Sequence, residues 1–190
     1  HLGFSREDLE SGAAPTLETL LADVRQALEP FEKAAGRPIP VFTAGGVYTA
    51  ADIDRFLSLG AAGVQMATRF IATHECDASP AYKQAFIRAR REDVRLVKSP
   101  VGMPGRALAS PLLRRLDSGA SYPPLRCNDC LRVCPHKETP YCISRALIEA
   151  VKGNWEDGLF FCGSHVWRMD RLQSVRELVK ELFPQRRIPE

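Results

Sequence analysis

Two short turns, each directly after an apolar run, carry the residue types that most favour binding of an anion. Thr43–Gly46 ends one run, and Met66–Thr68 ends the next run along the chain. Glycine lets the backbone approach a phosphate closely, and N–H groups at the start of the following helix donate to it. A pair of such turns after consecutive strands predicts a phosphate site. On spacing alone, an ordinary tight turn at Gly45-Gly46 is the more common outcome.

A cluster of cysteines is the second feature suited to chemistry. Cys127, Cys130, Cys134 and Cys142 are separated by two, three and seven residues, and the chain has six cysteines in all. Thiolates suit iron–sulfur clusters and zinc, but this spacing is neither the ferredoxin pattern nor a standard zinc ribbon. A 4Fe–4S cluster, a zinc ion, and unmetallated thiols or a disulfide therefore all stay open.

The composition indicates a globular protein: the chain has 190 residues, of which 45% are hydrophobic and 26% charged, and its net charge is +3. So small a charge gives no reason to expect a nucleic-acid or membrane partner, and no apolar run is long enough for a spanning helix. No signal peptide is recognisable and the cysteine clustering fits reduced thiols, so a cytoplasmic location is expected. The first residue, His1, fits processing, a fragment or proteolysis equally well.

The predicted order of elements puts both turns at strand ends. A helix is predicted over Thr16–Ala35, and the runs Pro40–Ala44 and Gly63–Met66 are predicted as buried parallel strands. Between the strands, Thr49 and Asp52 form a capping-box pattern that begins a helix. This alternation implies a parallel sheet covered by helices. Because two strands cannot bury themselves, missing sequence or another chain must complete the sheet.

The remaining segments are predicted from proline, glycine and capping residues as much as from hydrophobic periodicity. Residues 1–15 are interpreted as a loop, and Pro80–Arg91 as a helix with proline at its favoured first position. Residues 95–126, rich in proline and glycine, are interpreted as irregular and lid-like. Two amphipathic helices are predicted after the cysteine cluster, and the second begins near a capping-box pattern at Asp170–Gln173.

One long stretch resembles a known enzyme family. PVFTAGGVYTAADIDRFLSLGAAGVQMATRFIATHECDASPAYKQA is similar to the nitronate monooxygenases, formerly called 2-nitropropane dioxygenases, a family that includes the flavin-dependent enoyl-ACP reductases. The opening HLGF resembles the end of the family's Gly-Gly-His-x-Gly motif, and SPVGMPGRAL resembles a motif downstream of its last strand. The cysteine-rich tail resembles the C-terminal extension of a bacterial subset. The TAGG-to-MATRF block is the most specific part.

The resemblance implies a fold and a division of the chain. The fold class is α/β, the C-terminal portion of a (β/α)8 TIM barrel plus a cysteine-rich, mainly helical extension. Residues 1–94 would run from the end of strand six to helix eight of the barrel, 95–126 would be the lid-like segment, and 127–190 the extension. The implied partner is the N-terminal part of the same barrel, either as missing sequence or as a separate chain.

The resemblance also implies FMN at the mouth of the barrel. His1 matches the family histidine beside the flavin, and an imidazole suits proton transfer near neutral pH. Ala67 stands where many relatives carry glycine, so binding survives unless a positive φ is needed there. The implied FMN-binding residues are Ala44, Gly45, Gly46, Gln65, Met66, Ala67 and Thr68.

The implied activity is FMN-dependent oxidation of alkyl nitronates, a small-molecule substrate, with O2. Two alternatives stay open. One is an NAD(P)H-dependent flavin reductase of enoyl thioesters or quinones, and the other is a non-catalytic cluster-binding module centred on residues 121–183. The sequence leaves open the physiological substrate, the electron donor and whether a homo-oligomer forms.

Overall fold

The structure is a computed structural model that describes residues 3–100, 102–124, 126–130, 134 and 137–185. Helix α1 (Arg6–Ser11) forms where the sequence predicted a loop. The Ser5 side chain explains the difference, because its oxygen accepts a hydrogen bond of 3.0 Å from the Asp8 N–H and caps the first turn. Within the described ranges, no helix combines the length and apolarity needed to cross a membrane.

Helix α2 (Leu17–Ala35) confirms the predicted amphipathic helix. Its side-chain cap is Thr16, and it ends at Gly36, which takes the left-handed conformation with φ of 64°. Leu21 is the buried residue on its inner face and belongs to a small core with Phe56 and Ala61. The inner face of α2 therefore packs on the α/β part of the chain that follows it.

A short βαβ unit follows. Strand β1 (Phe42–Ala44) and strand β2 (Gly63–Gln65) are parallel neighbours, and Ala44 lies opposite Gln65. Helix α3 (Ala50–Ser58) connects them and begins with the predicted Thr49–Asp52 capping box. Because parallel strands end at the same edge of a sheet, the turns after β1 and β2 emerge side by side. The predicted strands and their parallel pairing are thus present, but the strands are not buried as predicted, since Thr43 is the only buried residue among the six.

Two helices and a hairpin come next. Helices α4 (Thr68–Ile71) and α5 (Pro80–Ile87) precede strands β3 (Val94–Lys98) and β4 (Pro104–Leu108), which pair antiparallel. Helix α5 is shorter than predicted, because the chain turns at Arg88 and the Asp93 side chain accepts a 2.8 Å hydrogen bond from the Arg90 N–H.

The interpretation of residues 95–126 as irregular and lid-like was wrong for much of the segment. Strands β3 and β4 and helix α6 (Pro111–Asp117) occupy a large part of it. Two of the prolines that suggested irregularity lie at the start of an element, where proline is compatible with regular structure. Pro104 is the first residue of β4, and Pro111 is the first residue of α6. A proline at either position removes no hydrogen bond that the element needs.

The C-terminal part contains helix α7 (Ile143–Lys152), which ends at Gly153, and helix α8 (Val175–Leu182). Helix α8 begins with a capping box of Ser174 and Glu177, not with the predicted Asp170–Gln173. Gln173 instead pairs with Thr73 in an isolated bridge. The predicted mainly helical character is met only in part, because turns and extended residues occupy most of the described chain between α7 and α8.

The main hydrophobic core contains residues from the βαβ unit, from α5 and β4, and from the C-terminal part of the chain. It contains Tyr48 from the βαβ unit, Phe86 from α5, Leu108 from β4, and Phe160 and Val166 from the C-terminal part. The segment around Phe160 is held by main-chain hydrogen bonds to β4, with the Leu108 N–H donating to the Phe160 carbonyl at 2.9 Å. The C-terminal part is thereby fixed against the elements that carry the two turns.

Candidate cofactor site

The turns after β1 and β2 line one cavity of about 250 Å³. This cavity lies at the carboxyl ends of the two parallel strands, where open α/β sheets bind their ligands. The structure brings together every residue of the predicted FMN-binding set, namely Ala44, Gly45, Gly46, Gln65, Met66, Ala67 and Thr68. We call this space the cradle cavity.

The backbone of the first turn takes a conformation that favours glycine. Gly45 and Gly46 have φ values of 97° and 73°, and a Cβ atom added to either would meet no other atom within 4 Å. Main chain thus borders open space at both positions. Ala67 in the second turn has φ of −124°, which an alanine adopts without strain. Glycine is therefore not required at position 67.

A third segment, to which the sequence motifs gave no role in the site, also lines the cradle cavity. It is Gly163–Val166, in the C-terminal part of the chain. The Gly163 N–H donates a 2.9 Å hydrogen bond to the Thr68 hydroxyl oxygen, so this segment is attached to the second turn. The sequence did contain a signal: the extended run Leu159–Cys162 ends in a glycine, the same pattern that marks the first turn.

Two buried polar atoms at or next to the cradle cavity have no hydrogen-bond partner within the described chain. They are Nδ1 of His165, in the third segment, and Oγ1 of Thr43, the residue before Ala44. A buried polar atom left without a partner costs about 1–3 kcal/mol. The open main chain at Gly45 and Gly46, together with an unsatisfied polar atom on another segment of the same cavity, fits a polar group bound in that cavity.

A buried arginine ties the two turns and helix α8 together. Arg69 is only 8% exposed, and it donates from Nη1 to the Tyr48 carbonyl at 3.1 Å and from Nη2 to Glu181 at 2.9 Å. Its guanidinium also lies 4.6 Å from the centre of the Tyr48 ring, and that of Arg168 lies 4.4 Å from it. Burial raises the pKa of Tyr48 above its ordinary 10.0, so the phenol between these cations stays neutral. Sequence reasoning assigned no role to Arg69.

The Arg69–Glu181 pair predicts a pH-dependent contribution to stability. The hydrogen bond from Arg69 holds the pKa of Glu181 below its ordinary 4.5. A carboxyl with a lowered folded-state pKa stabilises the fold above its unfolded pKa, and this contribution is lost as the pH falls through the folded value. We expect Glu181→Gln to lower the melting temperature slightly at pH 7, with a difference from the wild type that shrinks as the pH drops below 4.5.

Thermal unfolding at a series of pH values measures this effect. The exposed Glu156, which pairs with Arg115 at 3.4 Å, provides the matched control as Glu156→Gln. A difference for Glu181→Gln that stays constant between neutral and acid pH would contradict the prediction.

The predicted metal ligands lie outside the cradle cavity, and the predicted catalytic residue is not described. His1, the predicted catalytic residue, lies outside the described residues. The predicted metal ligands Cys127, Cys130, Cys134 and Cys142 line a separate cavity of about 450 Å³, and every one of them is a free thiol.

No group of three or more His, Cys, Asp or Glu in the described ranges is placed to hold a metal ion. The structure therefore gives no support to the 4Fe–4S or zinc predictions. None of the six cysteines is in a disulfide bond in the structure.

The fold and the site define a class. The chain is an α/β protein with an open, main-chain-lined cavity where two parallel strands end, the place where barrel enzymes bind phosphate groups. The profile of the nitronate monooxygenase family matches residues 1–185. The chain belongs to that family.

Individual relatives match shorter stretches. A 5-hydroxy-7a-methyl-1-oxo-octahydro-1H-indene-4-carboxyl-CoA dehydrogenase of Mycobacterium tuberculosis is 35% identical over 89 residues, which is 47% of this chain and 25% of that protein. A probable nitronate monooxygenase of Bacillus subtilis is 33% identical over 72 residues, 38% of this chain and 21% of its own length.

Two solved structures resemble nearly the whole chain. FabK from Thermotoga maritima superposes with a TM-score of 0.66 at 25% identity, covering 90% of this chain and 49% of that one. A nitroalkane oxidase from Streptomyces ansochromogenes gives a TM-score of 0.65 at 27% identity, covering 96% and 46%. The chain spans about half the length of these structures. Together with family membership, these similarities indicate that the chain is part of a TIM barrel. A partial barrel agrees with the expectation that two strands alone do not form a complete sheet.

Proposed function

We propose that this chain supplies the phosphate-binding part of an FMN-dependent oxidoreductase. The observation that carries the proposal is the convergence of the turns after β1 and β2 on one open cavity, with positive φ at Gly45 and Gly46. Main-chain N–H groups in such turns suit the oxygens of a phosphate monoester, and glycine allows the anion to come close. Family membership supports the same conclusion independently.

Different residues of this chain would bind the phosphate and the ring of FMN. The turns at Ala44–Gly46 and at Ala67–Thr68 would donate main-chain hydrogen bonds to the phosphate. Gln65 and Met66, at the end of β2, would lie toward the flavin ring. The Thr68 hydroxyl oxygen already accepts from Gly163, so the hydroxyl hydrogen is the part that would donate to the phosphate.

FMN supplies the electron-transfer chemistry when bound. The reaction that we propose is oxidation of an alkyl nitronate with O2, in keeping with the family. His1 is proposed to assist proton movement beside the substrate, which is a role that imidazole suits near neutral pH. The rest of the barrel is proposed as the partner of this chain, since the chain spans about half the length of the structures that it resembles. A cytoplasmic location also stays a prediction.

A second candidate reaction has a specific observation in its favour. The 35% identical relative of Mycobacterium tuberculosis is named as a carboxyl-CoA dehydrogenase. Oxidation or reduction of a thioester substrate, with a nicotinamide cofactor as the electron donor in the reductive direction, is therefore the alternative activity for the same FMN site.

Spectroscopy and stopped-flow kinetics on a complete barrel containing this chain test the proposal. We expect the purified protein to be yellow and to release FMN on denaturation. A nitronate should reduce the flavin anaerobically and cause oxygen uptake in air, while NAD(P)H reduces it slowly. Rapid reduction by NAD(P)H instead would favour the thioester reaction. Failure to retain FMN after reconstitution would contradict both reactions.

A further inference from the structure

We propose that His165 contacts the phosphate of the cofactor and that Gly163–His165 forms the third wall of its site. The inference rests on the proposed function, because it assigns a residue to the same cradle cavity. It adds a side chain from the C-terminal part to a site otherwise made from the two turns of the βαβ unit. None of the sequence motifs assigned this histidine a role.

The beginning of this wall is fixed by hydrogen bonds from two consecutive main-chain N–H groups. The segment before it lies along β4, where the Cys162 N–H donates to the Arg106 carbonyl at 2.9 Å. At the first residue of the wall, the Gly163 N–H donates to the Thr68 hydroxyl oxygen, and a Cβ atom on Gly163 would lie 3.0 Å from that oxygen. Such a close approach leaves little freedom for the segment to move away from the second turn.

The ring of His165 has an aromatic neighbour, and its main chain is hydrogen-bonded. It meets the Tyr48 ring edge to face, with centroids 6.3 Å apart and an interplanar angle of 89°. The main-chain carbonyl of His165 accepts a 3.0 Å hydrogen bond from the Arg168 N–H. A fixed ring on the wall of a cavity loses little side-chain entropy when it binds a ligand.

The buried Nδ1 atom of His165 has no hydrogen-bond partner within the described chain. Buried polar atoms in folded proteins are almost always satisfied, so a bound group is the natural source of the missing partner. The guanidinium of Arg69, which also lines the cavity and is paired with Glu181, lies against Tyr48 on the wall that Tyr48 shares with His165. The anion that the proposed function supplies is the FMN phosphate.

Comparison of FMN with riboflavin, which lacks the phosphate, tests the contact without measuring activity. In the complete barrel, His165→Ala should raise the dissociation constant for FMN about tenfold, the value expected for loss of one hydrogen bond to a charged group. It should leave riboflavin binding unchanged. His165→Asn, whose side-chain amide lies near the position of Nδ1, should restore part of the FMN affinity. Quenching of flavin fluorescence gives all of these constants.

His74→Ala is the matched control, because His74 is an exposed histidine outside the cradle cavity. It should bind both flavins as the wild type does. Equal weakening of FMN and riboflavin by His165→Ala, or no weakening of either, would overturn the inference. A wild-type protein that binds riboflavin as well as FMN would instead contradict the proposed phosphate site itself.

An NMR titration of the wild-type protein tests the same contact if the His165→Ala variant does not fold. This chain contributes four histidines to the complete barrel, and comparison with the spectra of His165→Ala and His74→Ala assigns the ring-proton signals of the two residues. Titration with inorganic phosphate should shift the His165 signals in a saturable way, FMN should compete for the same site, and His74 should not respond. His165 signals that do not respond to phosphate would contradict the contact.

Discussion

Replacing Gly46 with valine is expected to raise the dissociation constant for FMN about a hundredfold, the equivalent of losing one to two hydrogen bonds to a charged group. Gly46 has φ of 73° and faces open space. A β-branched side chain strains this conformation, and its methyl groups enter the space proposed for the phosphate. Equilibrium binding followed by flavin fluorescence measures the change.

Gly36→Val separates backbone strain from loss of the site. Gly36 has φ of 64°, and a Cβ atom added there would also meet no other atom within 4 Å, but this glycine ends helix α2 away from the cradle cavity. Each variant should lose about 1–2 kcal/mol of stability from strain. Only Gly46→Val should lose FMN affinity. If both variants bind FMN equally well, the turn does not border the phosphate.

Elements specified by neighbouring residues were predictable from the sequence. Helix α2 follows from its apolar spacing, and helix α3 from a capping box only three residues apart. The two strands follow from short apolar runs that end in small residues. Their parallel pairing then brings both turns to one edge, so the sequence alone was enough to group the predicted phosphate-binding residues.

The third wall and the buried arginine could not be predicted in this way. Gly163 contacts a residue 95 positions earlier in the chain, and Arg69 pairs with one 112 positions later. No periodicity or capping pattern encodes contacts over such separations, because they arise only when the C-terminal part folds back on the βαβ unit. The hairpin of β3 and β4 was missed for a related reason: cross-strand pairing, not local composition, makes it regular.

Arg69→Ala is expected to lower the free energy of unfolding by about 2 kcal/mol and to weaken FMN binding with it. The side chain is 8% exposed, and its loss leaves the Tyr48 carbonyl without its donor. Removing one partner of a fully buried ion pair costs about 3–5 kcal/mol, but Glu181 is 47% exposed and can be rehydrated, so the smaller value applies. Urea denaturation of the variant and the wild type gives the difference.

Two further variants show whether the geometry of Arg69 matters beyond its charge. Arg69→Lys keeps the cation, but one ammonium group cannot reach Tyr48 and Glu181 as the guanidinium fork does, so an intermediate loss is expected.

Arg55 is the control: it lies over the Phe56 ring and pairs with Glu18 at 3.1 Å, with a side chain 54% exposed. Its replacement by alanine should cost well under about 1 kcal/mol, as exposed pairs do. Equal losses at positions 55 and 69 would show that the link between the two turns contributes nothing to the fold. In that case, the orientation of the cradle cavity would have to come from the main chain alone.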